Sequence, residues 1–352
     1  GNWDLFIVFI ELGYKNLNNT GNISFIIPNK IIASNYAKAI RNIISNNSLI
    51  EIRDYSDVNV FKEASVYPIT FLSNKKDNVI FESIRMIKMK NMLDIEWEND
   101  IKRDIFKTNE NWDNFFAKNS KAYSIINRII NDNKKLQDIA KVKGAATVSE
   151  SYIIKEKLYE NKNFIKEIEF KFVNTGTIDK YNTTWKDGKT QYIKHAYYQP
   201  VISKIDLKNI SQRRYEEALK EKIIIGGMTK VLECYYDKGE CLAGKSTIIV
   251  LDSSENLKYL IGILNSRLMT RFYQIYFNSL SLAGGFYRIG APQIKELPIA
   301  KATKLQEEKI IKLVDHLLTA PSDKKIQDDL DKIVYSIYGI EKEEIEILEE
   351  GK

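Results

Sequence analysis

The sequence predicts an α/β fold with more than one compact region, and three observations lead to this prediction. Residues 1–72 alternate between helical and strand patterns. A second, strand-rich stretch begins near residue 138, and amphipathic helical patterns close the chain after residue 300. With 352 residues, the chain is long enough for two or three regions that each bury a core.

The opening stretch has the order helix, strand, helix, strand, strand. Apolar residues recur at helical spacing over residues 4–17 and again over 34–45. Between them, residues 21–28 form a short apolar run that ends at a proline, which is typical of a buried strand. The runs 49–54 and 65–72 have the composition of strands. This order predicts part of a layered α/β sheet.

The middle of the chain is less regular. Residues 77–137 are polar with a helical tendency, and we expect a helical linker there. A mixed-strand region over 138–300 follows, and two helices over 305–318 and 326–337 form a C-terminal cap. The expected divisions are therefore 1–76, 77–137, 138–300 and 301–352.

A helical pattern over 257–275 precedes a polar loop. Its apolar residues recur every three or four positions, so one face of the helix must pack against something. The Gly284-Gly285 pair then allows a turn, after which come Tyr287 and Arg288. Such a loop is usually a plain surface turn, but Arg and Tyr also suit contacts to phosphate or to base edges.

The charge balance favours a polyanionic partner without proving one. There are 53 Lys and Arg residues against 47 Asp and Glu, a net charge of +6. Acidic residues concentrate at 341–350, so the preceding chain is more basic than the total indicates.

The few cysteines and histidines restrict the chemistry that the chain can carry. Cys234 and Cys241 are the two cysteines, and we expect free thiols in a reducing cytoplasm. The spacing of these residues and of His195 and His316 does not fit a zinc site, so we predict no metal. No apolar run is long enough to cross a bilayer. These features predict a soluble, intracellular protein.

A polar turn at residues 174–177 is a second candidate for a binding loop. Asn174, Thr175 and Thr177 surround Gly176, and Lys180 and Tyr181 follow closely. Hydroxyl, amide and backbone groups in such a turn suit phosphate oxygens or base edges. The aromatic residues that alternate with Lys over 181–195 can stack on bases, although core packing explains each of them equally well.

Residues 239–246, GECLAGKS, match the P-loop pattern GxxxxGK[ST]. A P-loop lies between a strand and a helix, whereas residues 247–251 are β-branched and apolar and so predict a strand. Residues 231–236 before the motif make the pair look like a hairpin. We therefore interpret Lys245, Ser246 and Thr229 as contacts to DNA phosphate or as plain polar groups of a hairpin, and nucleotide binding as a distant alternative.

Four ordered blocks carry a resemblance to a known family. They are IIIGGMTK at 223–230, CLAGKST at 241–247, GILNSR at 262–267 and GAPQIKELPI at 290–299. In this order they closely resemble the TaqI-like C-terminal specificity domain of adenine-N6 DNA methyltransferases in restriction-modification systems. Residues 25–30 and 60–69 resemble the blocks that follow the catalytic motif in the same family.

The resemblance implies a division of labour with residues outside this sequence. The catalytic motif Asn/Asp-Pro-Pro-Tyr/Phe and the Gly-rich turn that holds S-adenosylmethionine are both absent. We therefore expect the C-terminal part of a Rossmann-like methyltransferase sheet, followed by the linker, a mixed α+β target-recognition domain and the helical cap. We expect this chain to have no catalytic or cofactor-binding residues of its own and to be inactive alone. The full-length enzyme is expected to use S-adenosylmethionine.

The resemblance also implies double-stranded DNA as the partner of residues 138–300. We expect phosphate contacts from basic side chains and base readout from polar residues on the loops. The predicted DNA-binding residues are Thr175, Thr177, Lys180, Tyr181, Lys194, Lys230, Lys245, Ser246, Arg271, Tyr287, Arg288 and Gln293. The alternative function is a non-catalytic DNA-specificity subunit that works with a separate methylase, although such a subunit has no need for part of a methylase sheet in residues 1–70.

Overall fold

The computed structural model describes residues 3–61, 66–75, 82–103, 106, 112, 115, 120–282 and 285–349. The chain divides into two compact units. Residues 1–124 and 275–279 form the first, and residues 125–274 and 280–350 form the second. The first contains one five-stranded sheet, and the second contains several smaller sheets.

The first unit is built from the helices and strands expected for its opening stretch. Apolar side chains on one side of each helix, among them Ile10 of the first and Ile40 and Ile44 of the second, pack into one core with Phe71 of the sheet. Its elements are α1 (Phe6–Asn16), β1 (Asn22–Pro28), α2 (Lys38–Asn46), β2 (Ser48–Asp54), β3 (Pro68–Asn74), β4 (Ser83–Met89) and β5 (Ile95–Lys102), with short 3-10 turns at Asn29–Ile31 and Asn35–Ala37.

The sheet of the first unit is mixed. Its strand order is β1-β3-β2-β4-β5. Strands β2 and β4 run parallel, and every other neighbouring pair is antiparallel. The prediction of an α/β class is confirmed, and the strands predicted at 21–28, 49–54 and 65–72 all lie in this sheet, although residues 62–65 fall outside the described residues.

The helical linker predicted over 77–137 is wrong for residues 83–102, which form β4 and β5 of the first sheet. In β5, the half-buried Trp97, Asn99 and Ile101 alternate with exposed, mostly charged residues. Successive side chains of a strand point to opposite faces of the sheet, so the alternate residues of β5 that face solvent can be charged. Because so many residues of β5 are charged or polar, the two-residue period of a strand could not be recognised in its sequence. A helix follows at α3 (Ser120–Asp132).

The second unit contains the rest of the chain, and its strands are short. Its strands and the helices between them are β6 (Lys134–Lys135), α4 (Leu136–Ile139), β7 (Lys141–Gly144), α5 (Val148–Lys157), β8 (Tyr159–Glu160), β9 (Glu169–Val173), β10 (Ile178–Asp179), β11 (Asn182–Thr183), β12 (Lys189–Tyr192), β13 (His195–Tyr198), β14 (Pro200–Ser203), α6 (Lys204–Ile210), α7 (Gln212–Leu219), β15 (Glu221–Gly226), β16 (Met228–Thr229), β17 (Cys234–Lys238), β18 (Cys241–Ala243) and β19 (Thr247–Leu251). A 3-10 turn at Thr175–Thr177 follows β9.

The remaining elements of the chain are mostly helical. They are α8 (Leu257–Asn265), α9 (Arg267–Tyr276), β20 (Ser281–Leu282), β21 (Phe286–Arg288), α10 (Ala291–Lys295), β22 (Pro298–Ile299), α11 (Lys304–Leu317), α12 (Lys324–Ile337) and α13 (Lys342–Glu349). The two helices expected at 305–318 and 326–337 are confirmed as α11 and α12. Among the described residues, no helix has the length and apolar character that a membrane span requires.

Two four-stranded sheets form the core of the second unit, with strand orders β18-β9-β14-β8 and β17-β15-β19-β7. The predicted strand at 247–251 is confirmed as β19, but the predicted hairpin of 231–236 with 247–251 is wrong. Strand β15 lies between β17 and β19 and pairs with both. Strand β18 comes between β17 and β19 in the sequence, but it belongs to the other sheet, where it runs parallel to β9. Closeness in sequence favours a hairpin of β17 with β19. The apolar and mostly buried β15 instead takes the central position and has a neighbouring strand on each side.

The helix predicted over 257–275 consists of two helices. Helix α8 ends at Asn265, and the extended Ser266 begins α9, with its side-chain oxygen accepting from Met269 N at 3.1 Å. The apolar spacing continues across the break, which is why the sequence reads as one helix. Gly262 lets α11 approach α8 closely, because a Cβ there would lie 2.7 Å from Ile310 Cγ2.

Candidate nucleic-acid interface

Five loop and strand segments of the second unit lie beside one another. We call them the loop cluster: residues 174–177, 191–195, 227–230, 244–246 and 286–290. Thr175 connects three of them, since its hydroxyl donates to Ser246 O and accepts from Gly227 N at 3.1 Å. Gly227 O in turn accepts from Ile289 N at 2.9 Å. Four segments that are far apart in sequence are thus joined by consecutive hydrogen bonds.

The fifth segment is the tip of the β12–β13 hairpin. Asn174 attaches it to the other segments by donating from Nδ2 to Gln191 O at 2.8 Å. Ile193 and Lys194 form the two-residue turn, both with positive φ (43° and 61°), as a tight hairpin of this kind requires. A β-branched residue rarely adopts this conformation. The turn leaves the Lys194 side chain exposed.

Strands β16 and β21 pair so that Met228 lies opposite Arg288 and Thr229 opposite Tyr287. Lys230 follows β16, and its Nζ lies 5.1 Å from the centre of the Phe286 ring, a cation–π contact. Arg271 belongs to the same neighbourhood. Its Nη1 donates to Gln274 Oε1 at 2.9 Å, and Gln274 Nε2 donates to Lys230 O at 3.0 Å.

The charge of the loop cluster is entirely positive. Its five segments contain no Asp or Glu. Lys194, Lys230, Lys245 and Arg288 are all exposed. Such a surface attracts a polyanion over a distance comparable with the Debye length, about 8–10 Å at physiological salt.

Three of the predicted DNA-binding residues do not reach this surface. Thr177 and Tyr181 are buried, and the Thr177 hydroxyl bonds within its own turn, to Asn174 N at 3.3 Å and to Asn174 O at 3.0 Å. Lys180 Nζ donates to Asn265 O at 2.7 Å. Burial lowers the pKa of Lys180 and raises that of Tyr181. These three side chains lie or bond within the second unit and are not part of the candidate interface.

The other predicted residues are brought together, although their exposure differs. Lys194, Lys230, Lys245, Ser246 and Arg288 are exposed, whereas Thr175, Arg271, Tyr287 and Gln293 are half-buried. Tyr287 packs edge-on against Tyr273 of α9, with ring centres 5.8 Å apart. Gln293 lies on α10, directly after the loop cluster. Gly284 falls outside the described residues, and Gly285 has φ +77°, as expected for a glycine turn.

Several residues that shape the site were not singled out from the sequence. A Cβ at Gly227 would lie 2.2 Å from Ser246 O, so this close approach of two loops requires glycine. Gly244 is similar, with Asn174 Oδ1 only 2.7 Å from where its Cβ would be. Asn265, fully buried, bonds both Cys234 N and Cys234 O. All three lie in the blocks 223–230, 241–247 and 262–267 that resemble the specificity domain. The sequence alone marks them as parts of that pattern but does not show what each one does.

The P-loop-like run at 239–246 is followed by a strand and not by a helix, as its flanking residues predict. Strand β19 follows it directly, so no helix N-terminus faces this loop. Both thiols nearby, Cys234 and Cys241, are buried and free. Within the described part of the chain, no group of three or more His, Cys, Asp and Glu side chains is arranged to hold a metal ion.

Comparisons with known proteins give two family matches. Residues 171–299 match the TaqI-like C-terminal specificity domain, and residues 1–61 match the Eco57I restriction-modification methylase. The first match runs from β9 to β22 and includes the whole loop cluster. The resemblance to restriction-modification methylases with a TaqI-like specificity domain is therefore confirmed.

Individual relatives are more distant. The chain is 24% identical to a putative type II restriction enzyme and methyltransferase, RM.MjaORFECS2P, of Methanocaldococcus jannaschii, over 96% of this chain and 28% of the relative. Among solved structures, the type IIL restriction-modification enzyme MmeI, solved in complex with DNA, matches with a TM-score of 0.55 and 11% identity. That match covers 98% of this chain and 51% of the MmeI chain, and it shows a shared fold. The chain thus spans about a quarter of one relative and half of the other.

Proposed function

We propose that this chain is the DNA-recognition part of a site-specific adenine-N6 DNA methyltransferase of a restriction-modification system. The loop cluster would lie against the duplex. Lys194, Lys230, Lys245 and Ser246, with Arg271 behind them, would contact phosphates, while Thr175, Arg288 and Gln293 would approach the base edges. Tyr287 would support this surface from behind, since it packs against Tyr273 of α9.

The observation that carries this proposal is the composition of the loop cluster. It gathers four exposed cations, one from each of four segments, and its five segments contain no carboxylate. The segments are joined by the hydrogen bonds of Asn174, Thr175 and Gly227, so the cations are held on a defined scaffold rather than on independent loops. Proteins that bind duplex DNA place cations in this way to fix their register on the backbone.

Methyl transfer needs groups that the described residues do not present. The chain that leaves β1 enters a 3-10 turn at Asn29–Ile31 without a glycine, so it does not offer the Gly-rich turn that cradles S-adenosylmethionine. This turn therefore does not fit the cofactor. We propose that cofactor and target adenine bind outside this sequence, and that this chain binds DNA but does not methylate it alone.

The alternative is a non-catalytic specificity subunit that works with a separate methylase. The match of residues 1–61 to a restriction-modification methylase supports the methyltransferase proposal over this one. In the first unit these residues contribute α1, β1, α2 and β2, which pack as one core with β3 and β4. A specificity subunit would have no need for such a region.

The salt dependence of binding to duplex DNA tests the proposed interface. Each phosphate contact contributes about −0.9 to the slope of log K against log salt concentration. Replacing Lys194, Lys230 and Lys245 together by Gln should therefore make the slope shallower by about 2.7. Lys312→Gln is the matched control, because Lys312 is exposed on α11, outside the loop cluster, and its loss should leave the slope unchanged.

Base readout is tested separately, by selecting bound duplexes from a randomised pool at low and at physiological salt. Enrichment of one short motif that contains an adenine, and that survives the higher salt, would support readout by this chain. Binding without any enriched motif would contradict it. If the triple Lys→Gln variant keeps the wild-type salt slope, the loop cluster is not the DNA-binding surface.

A further inference from the structure

The small sheet β16-β21-β20 exposes large apolar side chains beside the cations of the loop cluster. Met228, Leu282 and Phe286 are 48%, 38% and 39% exposed. Met228 pairs with Arg288, and Leu282 pairs with Phe286. Because alternate residues of a strand point to one side, Phe286 and Arg288 share a face with both of these partners. We call Met228, Leu282 and Phe286 the apolar face.

The other side of the same strands is fixed to the body of the second unit. Thr229 is buried, and Tyr287 packs edge-on against Tyr273 of α9. The end of the strand pair is tied by the hydrogen bond from Ile289 N to Gly227 O at 2.9 Å. The strands that carry the apolar face are therefore packed and hydrogen-bonded to the second unit on their other side, so this face can bind a partner without rearrangement of the strands.

The neighbours of the apolar face are cationic. Lys230 Nζ lies 5.1 Å from the centre of the Phe286 ring, and Arg288 lies opposite Met228 in the strand register. A purely hydrophobic partner would leave these two charges without a counter-charge, since the loop cluster contains no carboxylate. A nucleic acid satisfies both requirements, because it carries apolar base faces between rows of phosphates.

We infer that the apolar face contacts nucleobases, with Phe286 stacking on a base at an opened step of the duplex while Lys230 holds the adjoining phosphate and Arg288 reaches a neighbouring base edge. In an intact duplex, base faces are covered by their neighbours, so a step must be unstacked before Phe286 can reach one. Burying Phe286, Met228 and Leu282 in the gap then offsets part of the energy needed to open it. The inference rests on the proposed function and deepens it.

The test compares the affinity of the whole chain for two short duplexes. They differ at one central base of one strand, so that one duplex is fully paired and the other carries a single mismatch. A mismatch removes part of the opening energy, so wild type should bind the mismatched duplex about tenfold more tightly. Phe286→Ala should weaken binding to the mismatched duplex by about tenfold and bring the ratio of the two affinities close to one. Phe286→Trp should keep the preference, because it can still stack.

Two controls separate the roles of the side chains. Lys230→Gln should weaken binding to both duplexes alike, so that their affinity ratio stays at the wild-type value. Since Phe286 is an exposed residue, Phe286→Ala should melt close to the wild-type temperature, which shows that lost binding is not lost folding.

The outcomes distinguish this inference from the proposed function. Failure of wild type to bind either duplex would overturn both. Equal binding of the two duplexes by wild type, or an unchanged ratio in Phe286→Ala, would overturn the inference and leave the proposed function standing. Concentration-dependent self-association that Phe286→Ala abolishes, with the ratio unaffected, would mean that the apolar face covers another protein, which also overturns it.

Discussion

Replacing Asn265 by Ala should strongly destabilise the second unit. The side chain is fully buried between α8 and β17. Its Oδ1 accepts from Cys234 N at 3.0 Å, and its Nδ2 donates to Cys234 O at 2.9 Å. This amide therefore fastens the end of α8 to the strand that leads away from the loop cluster.

The size of the effect follows from which groups lose a partner. Cys234 O keeps a second donor, Tyr181 N at 2.9 Å, so Asn265→Ala leaves mainly the Cys234 N–H unsatisfied. An unpaired buried N–H costs about 1–3 kcal/mol. The cavity left by the amide adds roughly 1 kcal/mol. We expect the free energy of unfolding to fall by about 2–4 kcal/mol.

Denaturant unfolding of wild type and variant measures this difference. Asn209→Ala is the matched control, because Asn209 is exposed on α6 and its removal should change stability by less than about 0.5 kcal/mol. If Asn265→Ala also changes the free energy of unfolding by less than about 0.5 kcal/mol, the bidentate contact does not fasten α8 and the reasoning fails.

Three further predictions concern other buried or crowded positions. A Cβ at Gly227 would lie 2.2 Å from a backbone carbonyl oxygen, so Gly227→Ala should lower both melting temperature and DNA affinity, whereas Gly176→Ala, which meets open space, should leave the melting temperature unchanged. The buried Lys222 pairs with Asp237, so Lys222→Met should destabilise the fold by about 3–5 kcal/mol, and adding Asp237→Asn should recover part of that loss in denaturant unfolding. Burial raises the pKa of Glu233 to about 7, so the folded state favours its neutral form and loses stability as the pH rises from 4.5 to about 7. Glu233→Gln should therefore melt above wild type at pH 8 and match it near pH 4.5, and a gap that does not depend on pH would contradict this assignment.

The local periodicity of the sequence was enough to identify most of the elements. The patterns at 4–17, 21–28 and 34–45 correspond to α1, β1 and α2, and those near the C-terminus to α11 and α12. These elements each bury one face, so their apolar residues repeat at the period of a helix or a strand. The errors arose where that signal weakens, as in the charged edge strand β5.

The candidate interface could be predicted only in part. The blocks that resemble the specificity domain contain Lys230, Lys245 and Ser246, and their order along the chain was enough to indicate the resemblance. Chemistry alone, however, could not separate the exposed Lys194 and Lys245 from Lys180, whose ammonium group lies against Asn265 O in the interior. Residue type indicates what a side chain can bind, but not whether solvent can reach it.

The sequence by itself determined the class of the fold, the family resemblance and the strand that argues against a P-loop. Only the tertiary structure decided which loops meet. Thr175 reaches Gly227 and Ser246 across 52 and 71 positions of sequence, and this contact depends on the registers of β9, β15 and β18 rather than on any local pattern. Periodicity records that a face is buried but not what buries it, so long-range partners emerge only when the strands are paired.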